Sequence, residues 1–231
     1  MATPPTDVLV FLVRHAEPAG PGGKRFLGQD DPPLSRAGEE QARLLGARLR
    51  LLLSGGGTGV AARGLAGDPR FDAVHSSDLA RCLQTAEIAI ADALTTGGDT
   101  TITPHKWLRE IDVGLWQGLT WEEARERYPA EHAWREVDPV GRRFPGGESF
   151  RDLRDRVVPR FRDLVEQESR AGRRRMLVMG HRGVNRVLLA HVLGLPLERI
   201  FSIEQDYCAV NVLRVSSSSA GGWRLVAEPG G

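Results

Sequence analysis

The chain has few of the residues that build disulfide or metal-based scaffolds. Its 231 residues include two cysteines, Cys82 and Cys208, and neither lies in the paired spacing of a zinc or redox motif. The formal net charge of +1 gives no global field that would attract nucleic acid or a membrane surface. We therefore expect neither kind of partner. Both cysteines are interpreted as core residues, Cys82 in a helix and Cys208 in a strand.

Long hydrophobic runs are also scarce. The apolar run from Val8 to Val13 is too short to span a bilayer, and the segment before it has no basic region typical of a signal peptide. These absences predict a cytoplasmic protein. The content of 41% hydrophobic and 26% charged residues is ordinary for a soluble protein, and the length suits one large α/β domain or two small ones. We expect a single domain over residues 1–231, with a flexible glycine-rich insertion at 54–69.

The periodicity of the apolar residues predicts alternating strands and helices. Strands are predicted at 8–13, 71–75, 101–103, 176–180, 208–215 and 223–227, and helices near 36–53, 79–90, 120–128, 149–164 and 183–193. Residues 129–147 are predicted to be irregular, and Pro159 is expected to kink its helix. This order predicts an α/β fold, a three-layer α/β/α sandwich around a mostly parallel sheet with an antiparallel strand near one edge.

Two of the predicted strands run directly into a histidine. Arg14 and His15 follow the first strand, and Gly180 and His181 follow the strand at 176–180. Ligands of open α/β sheets bind at the carboxyl ends of strands, so we expect both imidazoles to face one ligand. Arg81, in the first turn of a predicted helix, adds a second arginine to this group.

The charge of this group favours a phosphate ester over a metal ion. Arginine guanidinium groups match pairs of phosphate oxygens, and helix N-termini supply backbone N–H donors. A zinc site usually has further His, Cys or carboxylate ligands, whereas arginines repel a cation. We therefore expect no metal ion and no cofactor. From the residues alone, His15 and His181 are equal candidates for a nucleophile that attacks phosphorus.

The order of the motifs resembles the histidine phosphatase superfamily, which also contains the cofactor-dependent phosphoglycerate mutases. The matching segments are Leu12-Val13-Arg14-His15, Ser77-x-x-x-Arg81-x-x-x-Thr85, Arg109-Glu110-Ile111-Asp112-x-Gly114-x-Trp116-x-Gly118 and Gly180-His181. The resemblance implies the same sandwich fold and phosphoryl transfer through a phosphohistidine. It assigns His15 as the nucleophile, Arg14, Arg81 and His181 as the phosphate pocket, and Glu110 as the proton donor.

The proton donor has two candidates in the sequence, Glu110 and Asp112. A carboxyl group beside a phosphate dianion retains its proton more readily, so either residue could protonate a leaving alkoxide. The residues alone do not separate them, and the resemblance favours Glu110.

The sequence departs from the family pattern around the motifs. Ala16 and Arg182 stand where the family usually has glycine, and the loop after the first motif lacks an asparagine that touches the phosphoryl group in many members. We predict that Gln29 or Lys24 supplies this contact instead.

Together these residues predict a metal-independent phosphomonoesterase that acts on a small phosphorylated metabolite. The Gly-x-Trp-x-Gly pattern after Glu110 and the segment from Pro145 to Ser149 resemble the phosphatase branch, including the α-ribazole phosphatases. A phosphoglycerate-type mutase is the second hypothesis, and a non-catalytic phosphate-binding scaffold is the third. The substrate and the oligomeric state stay open, because variable loops build the leaving-group pocket.

Overall fold

The computed structural model of the protein describes residues 8–20, 25–54, 70–93, 101–215 and 223–225. In this part of the chain, the strands that form the central sheet are Val8–Arg14 (β1), Ala73–Ser77 (β2), Ile102–His105 (β3), Arg175–Gly180 (β4), Val210–Val215 (β5) and Trp223–Leu225 (β6). Their order across the sheet is β3-β2-β4-β1-β5-β6. β1 to β4 are parallel, whereas β5 is antiparallel to β1 and β6 is antiparallel to β5. The predicted mixed sheet is confirmed.

Helices connect the strands and cover both faces of the sheet. The α-helices are Arg36–Leu53 (α1), Ala80–Ala93 (α2), Trp121–Arg127 (α3), Pro129–Val137 (α4), Phe150–Arg170 (α5) and Arg182–Val192 (α6), and short 3-10 helices are Lys106–Leu108, Gly114–Trp116 and Leu197–Ser202. α1 begins after Ser35, whose side chain accepts a hydrogen bond from the backbone of Gly38. Ser149 caps α5 in the same way. Such caps satisfy backbone donors that have no partner within the helix.

The core lies in two layers, one on each face of the sheet. Val8, Val10 and Leu12 of β1 pack with residues of α5 and α6, whereas Leu9, Phe11 and Val13 pack with residues of α1 and α2. Because side chains alternate along a strand, an uninterrupted apolar run buries both faces of β1 at once. Each buried valine, leucine or phenylalanine stabilises the fold by about 1.5–3 kcal/mol relative to an exposed one. The three-layer sandwich is confirmed.

Three predictions of local structure need correction. The segment predicted to be irregular at 129–147 contains the helix α4, which Pro129 opens because a proline at the first helical position loses no hydrogen bond. The second strand lies at Ala73–Ser77 and not at 71–75. Cys208 lies before β5 and has a φ of 58°, so it is not a strand residue.

Pro159 lies inside α5, which continues from Phe150 to Arg170. The missing hydrogen bond would have reached the carbonyl of Asp155, and both residues lie on the exposed side of the helix, where water can replace the bond. The expected kink stays a prediction. Residues 55–69 of the predicted insertion lie outside the described residues. Within the described residues, the helices are all too short or too polar to cross a membrane.

Candidate active site

Neighbouring parallel strands end together at one edge of the sheet. In the register of β1 and β4, Arg14 is the partner of Gly180. The residues that follow, His15 and His181, therefore leave the sheet side by side, and their ring centroids are 5.0 Å apart. β2 lies on the other side of β4 and brings Ser77 to the same edge. The two imidazoles lie together as the sequence predicted.

The hydrogen bond of His15 defines which ring nitrogen is free. His15 Nδ1 lies 2.7 Å from the carbonyl oxygen of Ala16, which can only accept, so Nδ1 carries the proton. Nε2 then keeps its lone pair. Burial, followed by the charges of Arg81 and Arg14, holds the pKa of His15 well below 6.5. The ring is therefore a neutral imidazole at pH 7, the form that a nucleophile needs.

His181 is fully buried beside the end of β2. Its Nε2 atom lies 2.9 Å from Ser77 Oγ and 3.4 Å from Cys82 Sγ. Burial is the largest cause that lowers the pKa of His181 well below 6.5, and the charge of Arg81 adds to it. Cys82 is buried in the core as predicted, and burial raises the pKa of its thiol, so it stays protonated.

Two buried arginines flank these rings, and only neutral groups bond to them. Arg14 donates from Nη1 to the carbonyl oxygen of Gln205 at 2.7 Å. Arg81 donates to the carbonyl oxygens of Gly28, at 2.9 Å, and Asp30. Nε of each arginine is buried without a hydrogen-bond partner. A buried charge without an ion partner is costly, so this arrangement favours binding of an anion between the two side chains.

Glu110 lies at the same edge, and Asp112 does not share its contacts. The Glu110 carboxylate accepts from the backbone N–H of Ile111 at 2.9 Å and from that of Gly183 at 3.0 Å. The second bond ties Glu110 to the first turn of α6, next to His181. Asp112 instead accepts from the N–H of Gly114, in the turn that leads to the helix Gly114–Trp116.

Gln29 lies in the loop between β1 and α1 and donates to the carbonyl oxygen of Glu110 at 3.4 Å. It is therefore close to the proposed proton donor, although this bond uses its amide group. Lys24 lies outside the described residues. Arg156 of α5 also donates to the backbone of this segment, at the carbonyl oxygens of Trp107 and Arg109, while it pairs with Glu148.

The site contains residues that sequence reasoning did not select. Thr85 accepts from the N–H of Ala16 at 3.0 Å and holds the chain after His15 against α2. The centroid of the Tyr207 ring lies 4.0 Å from the Arg14 guanidinium carbon and 5.8 Å from that of the His15 ring. Thr85 belongs to one of the quoted motifs, so its position carried a signal. Tyr207 lies in an irregular segment that carries none.

The charged groups of the site do not form a metal centre in the described part of the chain. No three His, Cys, Asp or Glu side chains gather there in a way that could hold a metal ion. The cations that surround His15 and His181 are arginines, which suit an anionic ligand.

Curated relatives of the chain are named as enzymes that act on phosphate esters. The chain is 33% identical over 219 residues to the "probable phosphoglycerate mutase" GpmB of Salmonella paratyphi C, an alignment that covers 93% of this chain and 89% of the relative. It is 31% identical to phosphoserine phosphatase 1 of Hydrogenobacter thermophilus, over 90% of this chain and 87% of the relative. Identity to the 6-phosphofructo-2-kinase/fructose-2,6-bisphosphatase of Gallus gallus is 33%, and the chain spans only 33% of that protein's length.

The fold is also found among solved structures. The α-ribazole phosphatase from Shigella flexneri superposes with a TM-score of 0.76 at 21% identity, and 96% of each chain is covered. Residues 10–53 and 59–227 match the family model of branch 1 of the histidine phosphatases. This match includes all four motifs and most of the chain. The chain therefore belongs to the histidine phosphatase superfamily, branch 1.

Proposed function

We propose that the protein is a metal-independent phosphomonoesterase that hydrolyses a small phosphorylated metabolite through a phosphohistidine at His15. The observation that carries this proposal is the pair of buried arginines, Arg14 and Arg81, whose partners are carbonyl oxygens and whose Nε atoms are unpaired. A phosphate dianion between them would supply the missing negative charge and hydrogen-bond acceptors.

In the first step His15 Nε2 attacks phosphorus while the bond between phosphorus and the ester oxygen breaks. The transition state spreads negative charge over the equatorial phosphoryl oxygens, and Arg14, Arg81 and His181 stabilise it. Glu110 gives its proton to the departing oxygen, so the product is a neutral alcohol. In the second step water attacks phosphorus, Glu110 takes a proton from that water, and the bond from phosphorus to Nε2 breaks.

Glu110 is favoured over Asp112 as the proton donor because of its contact with α6. Its carboxylate accepts a hydrogen bond from the N–H of Gly183, two residues after His181 in the chain, which supports a role beside the pocket. The Asp112 carboxylate caps a turn instead. Gln29 donates to the backbone carbonyl of Glu110, so we propose that it positions this segment. Its amide would contact the phosphoryl group only after this hydrogen bond breaks.

A mutase is the second candidate function, and the similarity to a "probable phosphoglycerate mutase" favours it. Both activities would form the same phosphohistidine. A mutase must keep water out until the phosphoryl group returns, whereas a phosphatase admits water. Release of phosphate from 4-nitrophenyl phosphate, with little interconversion of 3- and 2-phosphoglycerate in the presence of 2,3-bisphosphoglycerate, would support the phosphatase. Bisphosphate-dependent interconversion without phosphate release would support the mutase.

To test the nucleophile, the enzyme is mixed with a ³²P-labelled phosphate ester and the reaction is quenched rapidly without acid. We expect base-stable, acid-labile label on the wild type and none on His15→Ala, which should also lose turnover. His191→Ala, at the exposed end of α6, is the matched control and should keep both the label and the turnover. Label that persists in His15→Ala would reject the assignment. A screen of phosphorylated metabolites for phosphate release would then identify the substrate.

A further inference from the structure

Arg182 stands at the rim of the candidate site. It is the first residue of α6, between buried His181 and Gly183, whose backbone N–H donates to Glu110. Its neighbours on both sides are therefore fixed by the pocket, while its own side chain is exposed. Within the described residues, Arg182 has neither a hydrogen bond nor an ion pair, and its positive charge is left without a partner.

The charge of Arg182 acts on ionisable groups of the pocket. It lowers the pKa of Arg14, after the larger effect of burial, and it also contributes to the low pKa of His15. Arg186, one turn further along α6, is different, because its Nε donates to the carbonyl oxygen of Ile203 at 2.8 Å. The guanidinium group of Arg182 is therefore the cation of α6 that remains available at the rim.

The phosphate itself does not need this third arginine. A phosphate monoester carries about two negative charges at neutral pH, and Arg14 and Arg81 already offset both. His15 and His181 are neutral at pH 7 and add no charge to the pocket. The charge of Arg182 is therefore additional to the two charges that offset the phosphate.

We infer that Arg182 binds a second anionic group of the substrate, a carboxylate or a second phosphate, attached to the leaving alcohol a few bonds from the phosphate. This inference rests on the proposed phosphatase function and names the residue that selects among its substrates. The N-terminus of α6, an eleven-residue helix, adds its partial positive charge at the same place. The ring of Tyr207, which stacks on the guanidinium group of Arg14, is 37% exposed.

The test compares substrates that differ only in the second charge. One pair is 3-phosphoglycerate and glycerol 3-phosphate, which differ in a carboxylate. The other pair is propane-1,3-diol bisphosphate and its monophosphate, which differ in a second phosphate. Wild type, Arg182→Gln, Arg182→Lys and the control Arg170→Gln are assayed for kcat/KM on all four. Arg170 is also an exposed helical arginine, but it lies near the amino end of β4, opposite the pocket.

We expect Arg182→Gln to lower kcat/KM about ten-fold on the charged member of at least one pair, which corresponds to about 1.4 kcal/mol. For glycerol 3-phosphate and the monophosphate, which lack the second anionic group, kcat/KM should change less than about three-fold. Arg182→Lys should recover part of the loss, and Arg170→Gln should match the wild type. The pair that responds distinguishes a carboxylate from a phosphate.

Equal losses of kcat/KM on the substrates with and without the second anionic group would overturn the role of Arg182 and leave the phosphatase proposal intact. So would no loss on either substrate that carries it. A wild-type enzyme that hydrolyses none of the four substrates and no phosphate ester in the metabolite screen would instead reject the proposed function.

Discussion

The histidine pair at the edge of the sheet away from β1 predicts how stability depends on pH. His75 of β2 is buried, and its Nδ1 lies 3.0 Å from Nε2 of His105 on β3. Glu168, paired with Arg173, lies 3.8 Å from the other ring nitrogen. Burial, followed by the neighbouring His105, lowers the pKa of His75 from 6.5 to about 4. His75 is therefore neutral in the folded protein at pH 5, but mostly charged in the unfolded chain.

The sign of the effect follows from proton binding. Between pH 4 and pH 6.5 the unfolded chain binds the proton on His75 and the folded protein does not, so acid favours unfolding. The free energy of unfolding falls by about 1 kcal/mol per pH unit between pH 6 and pH 5, and by about 3 kcal/mol in all, from His75 alone. His15, His105, His181 and His191 have lowered pKa values too and act in the same direction.

The measurement is urea unfolding, followed by circular dichroism, at several pH values from 5 to 7.5. His75→Gln should reduce the slope of unfolding free energy against pH by about 1 kcal/mol per unit between pH 5 and pH 6. His191→Gln is the control: partial burial and the charge of Arg162 also lower the pKa of this exposed ring, but it should change the slope less than His75 does. The slope is the readout, so a uniform loss of stability in His75→Gln does not affect the result. An unchanged slope would refute the claim that His75 stays neutral in the fold.

Three further predictions concern the chemistry. Extensive dialysis against EDTA should leave kcat/KM on 4-nitrophenyl phosphate unchanged, and a loss that zinc or magnesium restores would contradict the arginine-based mechanism. Glu110→Gln should lower kcat on an alkyl phosphate about 10²–10⁴-fold, but much less on 4-nitrophenyl phosphate, whose leaving group needs little protonation; equal losses would transfer the role to Asp112. Gly183→Ala should show the same selectivity, because a Cβ at this position would clash with the Glu110 carboxylate. A wild-type ratio of the two activities would count against the Glu110–Gly183 contact.

Much of the fold was predictable because burial leaves a clear pattern in the sequence. The run from Val8 to Val13 indicates a strand buried on both faces, and the histidine after it marks the edge of the sheet where ligands bind. The pairing of β1 with β4, which places His15 beside His181, follows from topology and not from either segment alone. α4 was missed because it is short and lies in a stretch rich in proline and glycine.

The parts of the site that were not predictable come from irregular segments. Tyr207 and Gln205 reach Arg14 because the chain before β5 folds back against β1. No periodicity marks such residues, and their partners are distant in the chain. Arg182 was noticed only as a departure from the family pattern, and its exposure at the rim of the pocket needed the structure.

The position of β4 in the sheet also constrains when the site can form during synthesis. β4 lies between β1 and β2, although it follows both in the chain, and the bond from Arg14 to Gln205 joins residues 191 positions apart. A nascent chain that stops before β4 has β1 and β2 without the strand that joins them. Contacts of such long range slow folding, and unpaired strand edges are sites of aggregation. Both partners of β1, β4 and β5, are therefore missing until most of the chain has been made.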